Sequence, residues 1–172
     1  MNHGISIDHP SAEWSNLMKV FGLSVLAGMV MAVFGLTFNM IGWMQKSGLV
    51  INAAMVLSPE QMDTILMPIV GALLHVMFSG VFGLVFFVGI IIWKYLNLPG
   101  SLLVLGLLYG AGVFVVNAGV MAPLMDIHPP FWQQSTAGML SGLTARLIYG
   151  AGLGVFLGKW AVWPEFVSNR KN

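Results

Sequence analysis

Four strongly polar side chains fall inside long apolar stretches of this 172-residue chain: Asn39, His75, Asn117 and Arg146. An ionisable group inside lipid costs several kcal/mol and marks a candidate functional site. No carboxylate lies inside any of these stretches. Arg146 therefore needs Asp63 or Asp126 from a loop, backbone carbonyls, a partner subunit or an anionic ligand. The plainer alternative is structural: Arg146 clamps an outer loop through Asp126, and His75 hydrogen-bonds a carbonyl. A third reading makes His75 an axial haem ligand. Electron-transfer haem usually takes two ligands, and only one histidine lies deep in an apolar stretch, so haem would need a dimer or an unusual second ligand.

Methionine supplies a different chemistry. Met40, Met44, Met55, Met62, Met67, Met121, Met125 and Met139, eight of the thirteen, gather at one set of stretch ends and loops. Met40/Met44 and Met121/Met125 are spaced i, i+4, which is one face of a helix. Thioether and imidazole ligands suit Cu(I), so Met121, Met125 and His128 form a candidate copper site. Methionine fills irregular gaps just as well. No cofactor is expected; haem and copper are the groups these residues could be argued to hold. Cysteine is absent, which excludes disulfides, thiolate metal sites and thiol nucleophiles. There is no arguable Ser-His-Asp set, no HExxH and no pair of intramembrane acids. The glycine-rich run at 150–154 follows no strand and reads as helix packing. The chain reads as something other than an enzyme.

The elements that hold these residues follow from composition. The chain is 58% hydrophobic and 8% charged, with a mean hydropathy of +0.87; soluble domains carry about 25% charged residues. Four apolar stretches, about 20–41, 69–93, 102–121 and 138–160, match the roughly 20 residues a helix needs to cross hydrocarbon. A single all-α transmembrane domain over 1–172 is expected, with 1–19 as a polar tail in which Ser11, Glu13 and Trp14 could open an interfacial helix. Ser58-Pro59-Glu60-Gln61 reads as a helix start, Asn97 to Gly100 as a tight turn, and the His128-Pro129-Pro130 run as a break before the fourth span. Lys19, Lys94, Lys159, Arg170 and Lys171 lie on one side, and only Lys46 on the other, beside Glu60, Asp63 and Asp126. The positive-inside rule puts both termini in the cytoplasm and the loops 42–68 and 122–137 outside a plasma (inner) membrane. Trp43, Trp93, Trp132, Trp160 and Trp163 fall at the expected interfaces. A net charge of +1 gives no field for nucleic acid.

Spans two and four match at an offset of 71: Gly71, His75, Ser79 and Gly83 align with Gly142, Arg146, Gly150 and Gly154. Spans one and three match at 78: Gly28 with Gly106, Ala32 with Gly110, Asn39 with Asn117. The expectation is a duplicated two-helix hairpin with a pseudo-twofold along the membrane normal. Small residues at four-residue steps, Gly158 included, let helix backbones approach. The blocks HVMFSGVFG (75–83) and RLIYGAGLG (146–154) resemble the repeated blocks of a group of small bacterial four-span membrane proteins of unknown function, which often read H-L-x-Y-G-x-x-x-G. Arg146 stands where those blocks have His. The resemblance implies the fold and no activity. From the residues themselves, the leading expectation is a non-catalytic accessory subunit docking through glycine-rich faces on other membrane subunits, a respiratory or other redox complex being the first candidate host. The alternative is a homo-oligomeric transporter or channel with an outward polar vestibule lined by Asn39, His75, Asn117 and Arg146.

Overall fold

The computed structural model describes residues 10–160, with side chains from Trp14 onward. The expectations for residues 1–9, Trp163, Arg170 and Lys171 lie outside the described residues. Every apolar stretch is helical, and no strand occurs among the described residues; helices alone let single segments satisfy their backbone groups inside lipid. In chain order the elements are α1 (Pro10–Met40), α2 (Gly48–Ala53), α3 (Pro59–Met62), α4 (Leu66–Tyr95), α5 (Leu102–Val116), a π-helical turn (Asn117–Met121), α6 (Ala122–Leu124), a 3-10 turn (Phe131–Gln133) and α7 (Thr136–Trp160). Four segments are long and apolar enough to span a bilayer: Trp14–Met40, Leu66–Tyr95, Leu102–Leu124 and Thr136–Trp160. The protein is thus an all-helical, multi-pass membrane protein. Its backbone is already helical at Pro10 and runs unbroken into the first span, so Ser11, Glu13 and Trp14 belong to the spanning helix and not to a separate interfacial one.

Three span ends close in the same way. At the end of α1, Trp43 N–H donates to the Phe38 carbonyl (2.9 Å) and Gly42 N–H to that of Asn39 (3.0 Å). At the end of α4, Leu98 N–H reaches Trp93 (3.2 Å) and Asn97 N–H reaches Lys94 (3.1 Å). After α6, Ile127 N–H reaches Ala122 (3.0 Å) and Asp126 N–H reaches Pro123 (3.1 Å). These are Schellman caps, which need a left-handed residue to turn the chain. That residue is Gly42 (φ +77°), Asn97 (φ +51°) and Asp126 (φ +54°); Asn and Asp tolerate this region better than other residues with a Cβ. The third span also carries Pro123, which lacks an N–H and crowds the carbonyl four residues back. The wide π turn, with Ala122 N–H bonded to the Asn117 carbonyl, accommodates it.

The helices form an open row, α4–α1–α7–α5. The central pair α1 and α7 pack along each other, α4 packs along α1 and α5 along α7, while α4 meets α5 and α7 at few residues. The small residues make the tight crossings. A Cβ on Gly106 would stand 2.1 Å from the Gly150 carbonyl oxygen, and one on Gly150 would stand 2.0 Å from that of Gly106. Gly110 abuts the Arg146 carbonyl, Gly154 that of Leu102, Gly142 the Phe114 ring, Gly158 the Leu102 side chain and Gly71 the Leu49 carbonyl of α2. Gly28 abuts Ser79, and Gly83 abuts Ser24. The dense core lies in the half nearest residues 10 and 160: Val20, Ala27, Phe86, Phe87, Ile90, Tyr149, Leu153 and Leu157. The opposite, loop-side half is looser and holds the cavities.

Candidate functional site: two cavities bordered by Arg146

α2 is what roofs the loop-side half. Ser47 caps its N-terminus, its hydroxyl accepting from Val50 N–H (3.4 Å). The single turn of α2 then lies along the start of α4, close enough for Leu49 to press on Gly71. Lys46 Nζ donates to the Ile127 carbonyl (2.9 Å), joining this loop to the one before α7. Ser58 and Gln61 open α3 as expected, Ser58 N–H donating to Gln61 Oε1 (3.0 Å), but α3 is one turn and stops before α4 begins.

Beneath α2 lies an inner cavity of about 180 Å3, bordered by α1, α2, α4, α5 and α7. An outer cavity of about 230 Å3 lies under the loop before α7, against Gln45, Lys46, Gln133, Gln134 and Ser135. Asn117, His128 and Arg146 line both. His75 and Asn52 line the inner one. Counted at 1.5 Å per residue, His75 and Arg146 sit roughly 14–15 Å from the loop-side starts of their helices.

The polar groups differ in how far they are committed. His75 Nε2 donates to the Gly28 carbonyl (2.9 Å), and Nδ1 faces the Asn52 amide nitrogen (3.4 Å), from which it accepts. Both ring nitrogens are occupied, so a haem iron would have to displace a protein partner. This is the carbonyl bond anticipated for His75, with Asn52 as an added partner. Asn39 Nδ2 donates to the Met44 carbonyl (2.8 Å); it fastens the α1 cap and borders neither cavity. His128 Nδ1 accepts from Gln134 Nε2 (3.0 Å), whose amide also donates to the Pro129 carbonyl (2.9 Å).

Arg146 is different. Its guanidinium makes no hydrogen bond and no ion pair with any described residue. Asp126 is exposed, held in the left-handed cap after α6, and Asp63 ends α3 at the surface; neither reaches Arg146. No fully buried side-chain nitrogen or oxygen lacks a partner among the described residues. The unbonded guanidinium nitrogens therefore remain open to the cavities.

The candidate copper ligands do not converge. Met121 and His128 border the inner cavity, while Met125 borders neither cavity and is 42% exposed. Met40 ends α1 and Met44 lies beyond the Gly42 cap, so the two share no helix face. Among the described residues no group of three or more His, Asp or Glu side chains could hold a metal ion. The inner cavity does carry four thioethers on its walls, from Met31, Met44, Met55 and Met121.

Tyr149 borders the inner cavity, and Tyr109 bonds to Phe82, another of its lining residues. Tyr149 on α7 donates to the Ser79 carbonyl, and Tyr109 on α5 to the Phe82 carbonyl (2.7 Å). These bonds bring α4 to α7 and α5, and Phe86 packs on Tyr109 with ring centroids 5.0 Å apart. Asn52 and the tyrosines escaped sequence reasoning. The signal for Asn52 was there: Ser47 followed by Leu49, Val50, Ile51 and Ala53 is a capped apolar turn, unlike an ordinary loop. No family model matches the chain, and neither a curated protein nor a solved structure matches it.

Proposed function

We propose that this chain is a small binding protein of the bilayer, a carrier or receptor whose intramembrane site takes an anion from the outward side. The carrying observation is the unpartnered Arg146. An arginine at a helix centre in the membrane costs about 2.5–3.5 kcal/mol on insertion scales. An anion in the cavity would offset that cost through charge-assisted, bidentate hydrogen bonds. Asn117 and His128 border both cavities as Arg146 does, and no Asp or Glu borders either cavity to repel a negative charge. Tyr149 on the cavity wall and the core it belongs to favour a closed-bottomed site over an open pore. The outward direction rests on Lys19, Lys94 and Lys159 standing at the far end of the helices, which reads as the cytoplasmic end of a plasma membrane.

The test is native mass spectrometry of the protein released from host membranes. Wild type should carry an anionic adduct that Arg146→Gln lacks and Arg146→Lys retains in part. The same adducts on wild type and Arg146→Gln would end this reading.

The duplicated hairpin is part of the proposal. It is supported by matched crossings: Gly28 on Ser79 corresponds to Gly106 on Gly150, and Gly83 on Ser24 to Gly154 on Leu102, each pair related by the offsets 78 and 71. The blocks that resemble the small four-span bacterial proteins are the ones at these crossings. Symmetry is not kept elsewhere: α1 packs on α7, but α4 scarcely meets α5.

A second reading, the accessory subunit of a respiratory or other membrane complex, is favoured by a different observation. Gly22, Gly89 and Gly112 are exposed and face open space, so helices of another subunit could approach there. Replacing Gly112 with Leu should then strip co-purifying subunits while the bundle stays folded. A stable, solitary protein from mild detergent, before any substitution, would remove this reading.

A further inference from the structure

The two chambers differ in chemistry. The outer one is bordered by Gln45, Lys46, Gln133 and Gln134. The inner one is bordered by Met31, Leu36, Phe78, Phe82 and Val113. Arg146 borders both. A polar chamber beside an apolar one, with an unpartnered cation on the wall of each, suits the two ends of an amphiphile.

The open row of helices supplies the route. Three of the four helix pairs around the inner cavity are packed along their length; the pair α4 and α5 is not. Below, the gap is shut by the Tyr109 bond to the Phe82 carbonyl. Above, its edges are Phe78 and Phe82 on α4 and Val113 on α5, all partly exposed. The flanking residues Met77, Val81, Val115 and Val116 are exposed and apolar. At this depth a sideways opening meets acyl chains rather than water.

Resting on the anion-site reading above, we infer that the occupant is an anionic lipid of the outer leaflet, its phosphate-type head at Arg146 and its chain leaving between α4 and α5. A phosphate matches a guanidinium in planar, bidentate geometry. The apolar tail gains little by exchanging lipid for Phe and Val, so the head sets affinity and the tail sets access.

The experiment uses the full chain in phosphatidylcholine nanodiscs doped with phosphatidylglycerol. Bound phosphatidylglycerol is counted by native mass spectrometry, with glycerol phosphate as the water-soluble competitor. Wild type should retain phosphatidylglycerol over phosphatidylcholine. Arg146→Gln should lower that retention roughly tenfold or more, the scale of losing hydrogen bonds to a charged group. Val113→Trp, which fills the gap, should lower it as well. A phosphatidylglycerol carrying a tail diazirine provides a readout that needs no variant. It should mark α4 between Phe78 and Phe82 and α5 around Val113, and unlabelled phosphatidylglycerol, but not phosphatidylcholine, should suppress the marking. Glycerol phosphate binding as tightly as the lipid, with no tail marking at the gap, overturns the lateral lipid route and leaves a soluble-anion site. If neither the lipid nor glycerol phosphate depends on Arg146, the anion-site reading fails with it.

Discussion

His75 and Arg146 align in the sequence at an offset of 71, yet their side chains do opposite things. His75 spends both nitrogens on protein: one on the Gly28 carbonyl of α1, the other on Asn52 of α2. It clamps three elements together at the edge of the cavity. His75→Phe removes both bonds and leaves the Asn52 amide without its partner, which costs about 1–3 kcal/mol. His75→Gln can still donate to Gly28 and should lose less. Unfolding in detergent measures both; equal stability of His75→Phe and wild type would mean the clamp contributes nothing. Arg146 has no such partner, and the sequence carried that contrast only halfway. Small residues at four-residue steps around His75 and Arg146 put both on faces where helix backbones can approach, and the absence of acids inside the spans leaves Arg146 short of a partner. What spacing cannot express is the tertiary fact that Asp126, in the left-handed cap after α6, is exposed and does not reach Arg146. Asn39 misled for the same reason: its amide is drawn to the Gly42 cap, a bond invisible in a hydropathy profile.

The helices themselves were plainly legible, because an apolar run of this length has one stable state in lipid. Their ends were less so. Gly42 and the Asn97–Gly100 turn are recognisable, but Asp126 in a left-handed cap and the π turn ahead of Pro123 depend on how the third span meets its loop. α2 lies within the expected loop 42–68, because a six-residue helix is too short to give a periodic signal. Helix contacts give the sharpest prediction at this level. A Cβ on Gly150 would run into the Gly106 carbonyl. Backbone cannot step aside as a side chain can, so even Gly150→Ala must push α5 from α7. Gly112 on the same α5 faces open space, so Gly112→Ala, and Gly112→Leu as well, should leave unfolding unchanged or slightly improved. Comparable losses from Gly150→Ala and Gly112→Ala in detergent unfolding would contradict this division of glycines into packed and outward ones.

For the whole molecule, the two halves of the bundle carry different duties. The half near residues 10 and 160 is closed by aromatic and aliphatic packing, and the loop-side half encloses the cavities. Which compartment the cavities sample depends on orientation. Lys19, Lys94 and Lys159 stand at the packed end, while Lys46, Glu60, Asp63 and Asp126 share the loop end. Basic residues resist translocation far more than acidic ones do, so the packed end should stay in the cytoplasm. The chain has no cysteine, so one introduced thiol reports its side without background. Val56 between α2 and α3, and Leu98 between α4 and α5, are both exposed and lie at opposite ends of the spans. In intact cells a membrane-impermeant maleimide should label Val56→Cys and spare Leu98→Cys, which should react only after permeabilisation. The reverse pattern would turn the Arg146 cavity toward the cytoplasm. The site would then draw its anion from the inner leaflet or the cytosol, and the outward reading would have to be abandoned even with every bond around Arg146 unchanged.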